Sequence, residues 1–238
     1  WPQVMIPLMV EVLGATGTSE SPEALTRHVE EFVMRLNGRQ TIYQMIQLAE
    51  EVRLRGGMPR DPLEYKHAYH ARLMERIRGR LAELESRPAA AADWTVPESH
   101  ALLEALCRRG LKLYLASGTD VAFVRREAQL LGLADYFGGR IYGALDDYQN
   151  FSKKMIIDQI LRENGLGGSE LLGFGDGYVE IEQVRAAGGV AVAVASDEVR
   201  RRGIDAWKRD RLIRAGADVV IPDYRRHPRL LSWLLGDA

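Results

Sequence analysis

The stretch LLGFGDGYVEI, residues 171–181, decides the fold of this chain. An apolar segment typical of a buried strand leads into a glycine-rich turn that holds Asp176, and the start of a helix that carries Glu180 follows. Glycines on both sides of Asp176 let the backbone and a metal ion approach closely, and paired carboxylates suit Mg²⁺. The pattern predicts a magnesium site at Asp176 and Glu180. The alternative is a turn aspartate followed by a glutamate that favours the helix start.

Working outward, three more short apolar runs alternate with helical segments, at residues 111–116, 190–194 and 219–221. Strands that are apolar on both faces and separated by helices are typical of a parallel sheet covered on both sides. Ligands bind such sheets beyond the carboxyl ends of the strands. The sequence therefore predicts an α/β domain in which the chemistry lies just after each run.

A hydroxyl and a flexible backbone follow the run at 111–116, in the sequence Ser117-Gly118-Thr119-Asp120. Backbone N–H groups at a helix start attract oxyanions, and the Ser117 hydroxyl adds a neutral donor. This turn can hold a phosphate. Alternatively, Thr119 or Asp120 serves only to cap the next helix.

Two lysines, Lys153 and Lys154, open an amphipathic helix directly after Ser152. A cation near a helix N-terminus opposes the helix dipole, so a lysine there is more informative than one on a helix flank. Its ammonium group can neutralise a phosphate or a set of crowded carboxylates. A solvated lysine is the alternative.

The first part of the chain has a purely helical pattern. Candidate helices lie near residues 1–12, 22–36, 41–55 and 61–85. The sequences Ser-Pro-Glu at 21–23 and Asp-Pro-Leu-Glu at 61–64 both place a capping residue before a proline and an early acid, which is typical of helix starts. The simple sequence PAAAAD at residues 88–93 predicts a hinge.

Composition limits the partners of the protein. A 46% hydrophobic and 27% charged chain is typical of a globular, water-soluble protein, and 32 basic against 33 acidic residues remove any general attraction to nucleic acid or membranes.

Cys107 is the single cysteine, so it forms no internal disulfide. We predict that it is buried and that the protein is cytoplasmic. Pro7 and Glu11 interrupt the apolar run at residues 5–13, which therefore resembles neither a signal peptide nor a membrane span.

Taken in order, Ser117, the helix-opening lysine and the Gly-Asp-Gly-x-x-Glu run at 175–180 resemble the second, third and fourth motifs of haloacid dehalogenase-like hydrolases. The resemblance implies a Rossmann-like α/β core over residues 91–238 and an α-helical cap domain over residues 1–90.

The same resemblance assigns roles to the candidate residues. It implies that Ser117, with Gly118 beside it, and a motif lysine bind the transferring phosphoryl group. It also implies that Asp176 and Glu180 hold Mg²⁺ directly or through water. Lys153 is favoured over Lys154 as the motif lysine because it follows the capping Ser152.

The first motif of that family, Asp-x-Asp, does not occur in the 238 residues. It supplies the nucleophile and a second acid, so we expect it on a strand that precedes Trp1 and lies between the strands ending near Ser117 and Asp176. We expect the chain alone to be poorly active and less stable than an extended version.

The implied activity is that of a phosphatase acting on a small phosphorylated metabolite such as a sugar phosphate. Phosphomutase or phosphonatase chemistry, and a non-catalytic binding or regulatory protein, remain alternatives. Tyr65, Tyr69 and Trp207 could line a substrate pocket or simply pack. The charged runs at 200–202 and 208–211 predict a solvated, partly self-paired surface.

Overall fold

A computed structural model describes residues 2–87, 91–147 and 152–236 of the protein. The chain divides into two compact units, Trp1–Ala82 and Glu83–Ala238. The first three residues of the predicted hinge at 88–93 lie outside the described residues, and a short helix, α5, begins directly after them and spans Ala91–Trp94.

The first unit is helical, with strands absent from its described residues. Its helices are α1 (Pro2–Gly14), α2 (Pro22–Arg35), α3 (Thr41–Leu54) and α4 (Pro62–Ser86), whose last turn belongs to the second unit. These bounds agree with the predicted ones to within two residues. The predicted cap at Ser21 is confirmed, because its side chain accepts a hydrogen bond from the Ala24 N–H at 3.2 Å. Apolar side chains from the first three helices form the buried interior, among them Met9, Leu13, Val29, Val33, Met45 and Leu48.

The second unit is an α/β domain. Its strands are β1 (Leu115–Asp120), β2 (Ile141–Ala144), β3 (Leu172–Gly175), β4 (Val190–Val194) and β5 (Val219–Ile221). Its helices after α5 are α6 (Ser99–Arg108), α7 (Val121–Leu130), α8 (Ala134–Phe137), α9 (Lys153–Asn164), α10 (Tyr178–Ala186), α11 (Ala206–Arg214) and α12 (His227–Leu235).

The strands form two parallel sheets. One contains β1 and β2, and the other has the order β3-β4-β5. The parallel arrangement predicted from the sequence is confirmed. Within the described residues, β1 and β3 each pair with a single strand. Each therefore has one edge that no described strand covers.

Helix α9 packs against strands of both sheets. Ile156 and Ile160 share a buried cluster with Ala144 of β2, while Ile157 packs in the cluster that contains Ala191 and Ala193 of β4. Leu113, just before β1, and Phe174 of β3 pack on the cluster of Leu102, Ala105, Leu106 and Leu231 from α6 and α12. The two sheets are thus tied together by the helices that cover them.

The predicted bounds of the first strand were wrong. Residues 111–114 are not in a strand, and β1 instead begins at Leu115, whose N–H donates to the Arg140 carbonyl at the start of β2. The strand β1 begins only where the chain can pair with a neighbouring strand. That partner, β2, was not predicted.

The prediction that Cys107 is buried was also wrong, because it is exposed. The buried face of α6 carries Leu102, Ala105 and Leu106, and the next residue is rotated by about 100° around the helix axis. Across the described parts of the chain, helices long and apolar enough to cross a membrane are absent.

Candidate active site

The loop between β3 and α10 presents Asp176 directly after a strand end, with 63% of its side chain exposed. Glu180 folds back over this loop, and its Oε1 accepts a hydrogen bond from the Gly177 N–H at 2.9 Å. A Cβ atom at Gly177 would lie 2.7 Å from Glu180 Oε2, and one at Gly175 would collide with the Glu180 Cγ. The two glycines therefore provide the space that the folded-back carboxylate needs.

Lys153 reaches the same loop from the start of α9. The Ser152 hydroxyl accepts a hydrogen bond from the Met155 N–H and caps this helix. The Lys153 ammonium lies 2.5 Å from Glu180 Oε2, and the two side chains are only 13% and 20% exposed. This ion pair brings two elements of the predicted site into direct contact.

Lys154, the alternative motif lysine, points elsewhere. It pairs with Asp158 one helical turn further on, at 2.6 Å, and its side chain is 66% exposed. Adjacent residues differ by about 100° around a helix, so only one of the two lysines can face the loop. Lys153 is the one that does.

A second lysine from outside the predicted motifs lies beside Asp176. Lys208 of α11 is only 17% exposed, and its Nζ lies 3.9 Å from Asp176 Oδ2 and 2.5 Å from a carboxylate oxygen of Glu198. The expectation that the run 208–211 is a solvated surface was wrong for this residue. The sequence did carry a signal, because Lys208 is a cation in the first turn of a helix, as Lys153 is.

These charges set the electrostatics of the loop. Although the Asp176 side chain is mostly exposed, desolvation by the surrounding protein atoms and then the charge of Glu180 raise its pKa, while Lys208 and Lys153 lower it. Burial and the Asp176 charge likewise raise the pKa of Tyr224, whose ring meets Phe174 edge-on at a centroid distance of 6.0 Å. An added positive charge at this loop would stabilise the ionised carboxylates.

Ser117 and Gly118 lie in an irregular part of β1. The pairing with β2 is regular at Ala116 and again at Asp120, so residues 117–119 oppose the single residue Gly143 and form a bulge. The Ser117 Oγ accepts a hydrogen bond from the Thr119 N–H at 3.1 Å. Asp120 is the N-cap residue of α7, but its side chain does not cap the helix.

Close packing against β2 fixes this bulge. A Cβ atom at Gly143 would lie 2.6 Å from the Val121 Cα and 2.7 Å from the Thr119 carbonyl oxygen. These are backbone atoms, which cannot move aside as a flexible side chain could. Glycine at position 143 therefore allows β2 to approach the chain closely at Thr119 and Val121, at the end of the bulge.

The two predicted metal ligands differ in their readiness to bind a cation. Asp176 offers an exposed carboxylate, whereas both oxygens of Glu180 are engaged, one by Gly177 and one by Lys153. In the described segments, clusters of three or more His, Cys, Asp or Glu side chains that could hold a metal are absent. One or two carboxylates still suit Mg²⁺, which keeps several water ligands and is commonly completed by a substrate phosphate.

The aromatic residues considered for a substrate pocket separate into two groups. Tyr65 and Tyr69 are buried inside the helical unit, at 5% and 4% exposure, and burial raises the pKa of Tyr69 to about 12. Trp207 is 49% exposed and lies in the first turn of α11, next to Lys208.

The family model of haloacid dehalogenase-like hydrolases matches residues 28–188, more than half of the chain. The chain belongs to this family. A search of curated proteins found no match.

Solved structures share its fold at low sequence identity. A haloacid dehalogenase-like protein of unknown function from Agrobacterium tumefaciens has a TM-score of 0.59 at 18% identity, with 97% of this chain and 91% of that chain covered. A predicted phosphoglycolate phosphatase from Haemophilus somnus has a TM-score of 0.59 at 14% identity, covering 95% and 89%. A candidate β-phosphoglucomutase from Thermotoga maritima has a TM-score of 0.55 at 16% identity, covering 98% and 93%. The chain thus has the Rossmann-like fold of this family with a helical cap.

Proposed function

We propose that the protein is a Mg²⁺-dependent phosphatase that hydrolyses a small phosphate monoester, such as a sugar phosphate, through an aspartyl-phosphate. The observation that carries the proposal is the contact of Lys153 with Glu180 beside Asp176. Helix α9 supplies a cation, Lys153, and the segment after β3 supplies two carboxylates, Asp176 and Glu180. All three groups lie at one strand end. Phosphate and a hard cation require this combination of groups.

Each residue has a defined task in the proposed reaction. Lys153 neutralises charge on the phosphoryl oxygens, and Ser117 with Gly118 orients the phosphoryl group through hydroxyl and backbone donors. Asp176, with Glu180 directly or through water, would hold Mg²⁺, which when bound supplies charge neutralisation of the phosphoryl group. Lys154 is assigned no contact with the substrate.

The nucleophilic aspartate is proposed to come from a strand outside the 238 residues. The uncovered edges of β1 and β3 support this, because both strands could accept a further parallel neighbour. The covering helices bring Leu113 and Phe174, which lie in or beside these two strands, to one shared cluster. A strand between the two sheets would end beside Ser117 and Asp176, where the phosphoryl group is proposed to bind.

An extended protein tests the proposal. The chain is produced with an apolar strand ending in Asp-x-Asp before Trp1, and hydrolysis of p-nitrophenyl phosphate and of a panel of sugar phosphates is measured with Mg²⁺. We expect the extended protein to turn over at least one ester and Asp176→Asn to lower its rate by about 10²–10³-fold. No hydrolysis of any phosphate monoester, or an unchanged rate in Asp176→Asn, would contradict the proposal.

A non-catalytic phosphate-binding protein is the second candidate. One observation favours this candidate. A lysine of the chain already lies near each carboxylate, Lys153 near Glu180 and Lys208 near Asp176. Calorimetric titration of the 238-residue chain with inorganic phosphate separates the two candidates when combined with the assay above. Binding without turnover by the extended protein would support the binding protein.

A further inference from the structure

Three side chains form a stacked cluster next to the proposed phosphate site. The guanidinium carbon of Arg211 lies 4.5 Å from the ring centroid of Tyr178 and 5.1 Å from that of Trp207. One cation therefore contacts two aromatic rings that come from different helices. We call Tyr178, Trp207 and Arg211 the aromatic cluster.

The aromatic cluster lies at the carboxyl edge of the sheet. Tyr178 opens α10 two residues after Asp176, and Trp207 is in the first turn of α11, the helix that follows β4. Arg211 contacts both the Tyr178 ring and the Trp207 ring, at 4.5 Å and 5.1 Å from their centroids. The indole therefore lies in one cluster with Tyr178, whose helix begins directly after the Asp176 loop.

The indole of Trp207 is only partly buried. A tryptophan used only to fill a core would be buried, yet Trp207 keeps 49% of its surface exposed while Arg211 stacks on it. A guanidinium that stacks on an aromatic ring also limits the freedom of that ring. The result is an exposed flat surface, held in place and flanked by positive charge.

We propose that the aromatic cluster stacks on a flat ring in the leaving group, so that the substrate is a nucleoside monophosphate or a similar ring-bearing phosphate ester. The inference rests on the proposed function and narrows its substrate class. Stacking on Trp207 would add affinity that is independent of the phosphate contacts. Arg211 and Lys208 would add charge that matches an anionic ester.

Equilibrium binding to the 238-residue chain tests the inference. Adenosine 5′-monophosphate and ribose 5-phosphate, which differ by the base, are titrated in Mg²⁺ against the native chain and Trp207→Leu. We expect the nucleotide to bind the native chain about tenfold more tightly than ribose 5-phosphate. Trp207→Leu, which keeps apolar area but loses the flat ring, should remove that difference and leave ribose 5-phosphate binding unchanged.

Two further variants control for folding and position. Arg211→Lys keeps the charge but loses the planar stack, and it should weaken nucleotide binding less than Trp207→Leu does. Trp233→Ala removes a 69% exposed tryptophan of α12 and should leave both affinities unchanged. Thermal melting of each variant verifies that it is folded.

The possible results separate the inference from the proposed function. Equal binding of both ligands, with no effect of Trp207→Leu, would overturn the aromatic cluster as a substrate contact while the phosphatase proposal stands. Failure of the native chain to bind either ligand would overturn the inference, while the assay of the extended protein decides the phosphatase proposal. Selective loss of nucleotide binding in Trp207→Leu alone would support the inference.

Discussion

The two strand-end loops of the second unit are held in place by different forces. In the β3–α10 loop, charged side chains keep the geometry, with Glu180 bonded to Gly177 and to Lys153. In the β1–α7 turn, residues 117–120, backbone packing keeps the geometry, because β2 approaches the bulge so closely that only glycine fits at position 143.

The difference matters for how each loop can respond to a ligand. An ion pair can exchange partners, so Lys153 can leave Glu180 when a phosphate or a cation arrives. A sterically fixed turn offers the same donors whether or not a ligand is present. The comparison suggests one adaptable and one rigid half of the phosphate site.

Removing the lysine from the adaptable loop should have the largest effect. Lys153→Met keeps the length of the side chain but leaves a mostly buried Glu180 carboxylate without its cation. We expect the free energy of unfolding to fall by about 2–3 kcal/mol, measured by urea denaturation, and phosphate affinity to fall at least tenfold.

Lys112→Met is the matched control, since this exposed lysine bonds only a surface amide, Asn164, in the described contacts. It should change stability by less than about 0.5 kcal/mol. Equal effects of the two substitutions would mean that the charges do not hold the β3–α10 loop.

Crowding the rigid turn should have the next largest effect. Gly143→Ala places a Cβ atom against the backbone of Thr119 and Val121, and it should lower stability by about 1–2 kcal/mol. Gly79→Ala, in a helix with open space around its glycine, should be neutral or stabilising. If Gly143→Ala were as stable as the native protein, steric packing would not fix the turn.

A change of pH should have a smaller effect on the stability of the protein, through the protonation of Asp176. Its pKa is raised in the folded protein, so the folded state binds this proton more tightly than the unfolded chain does. The stability it contributes is complete below the ordinary value of 3.8 and is lost as pH rises through the raised folded value. The ionised carboxylate therefore costs stability at pH 7.

Asp176→Asn should consequently raise the melting temperature at pH 7 by a few degrees at most, because the side chain is largely exposed. The gain should disappear as the pH is lowered toward 3.8. Thermal melts of both proteins at several pH values measure the difference. A lower melting temperature of Asp176→Asn at pH 7 would show that the carboxylate stabilises the loop.

Replacing Lys154, the neighbour of Lys153, should have the smallest effect on stability. Lys154→Ala breaks an exposed pair with Asp158 and should cost less than about 0.5 kcal/mol. Its phosphate affinity should stay within about threefold of the native value. A loss as large as that in Lys153→Met would reverse the assignment of the two lysines.

Patterns that depend on neighbours in the sequence were predicted well. The helices of the first unit have apolar spacing within one short segment, α2 has a local cap at Ser21, and β4 is a continuous apolar run, so these elements could be recognised locally. The family and the order of its motifs were also predicted, because each motif is a local sequence next to a strand or helix end.

Features that depend on distant partners were not predicted. The strand β2 has only four residues and lies between glycines and acids, so nothing local distinguishes it from a loop. The start of β1 depends on where β2 pairs with it. Likewise, the approach of Lys208 to Asp176 depends on the packing of α11, so the sequence could mark Lys208 as a cation at a helix start but could not identify its partner.

The central position of β4 has a consequence for local unfolding. It is bonded on both sides, to β3 and β5, and Ala191, Val192 and Ala193 have no exposed surface. Its amides should exchange with deuterium most slowly, at rates set by global unfolding, while those along the uncovered edges of β1 and β3 exchange through small openings. A strand inserted between the two sheets would slow amide exchange along both edges together. Deuterium uptake at the edges of β1 and β3 therefore measures whether such a strand has joined the two sheets.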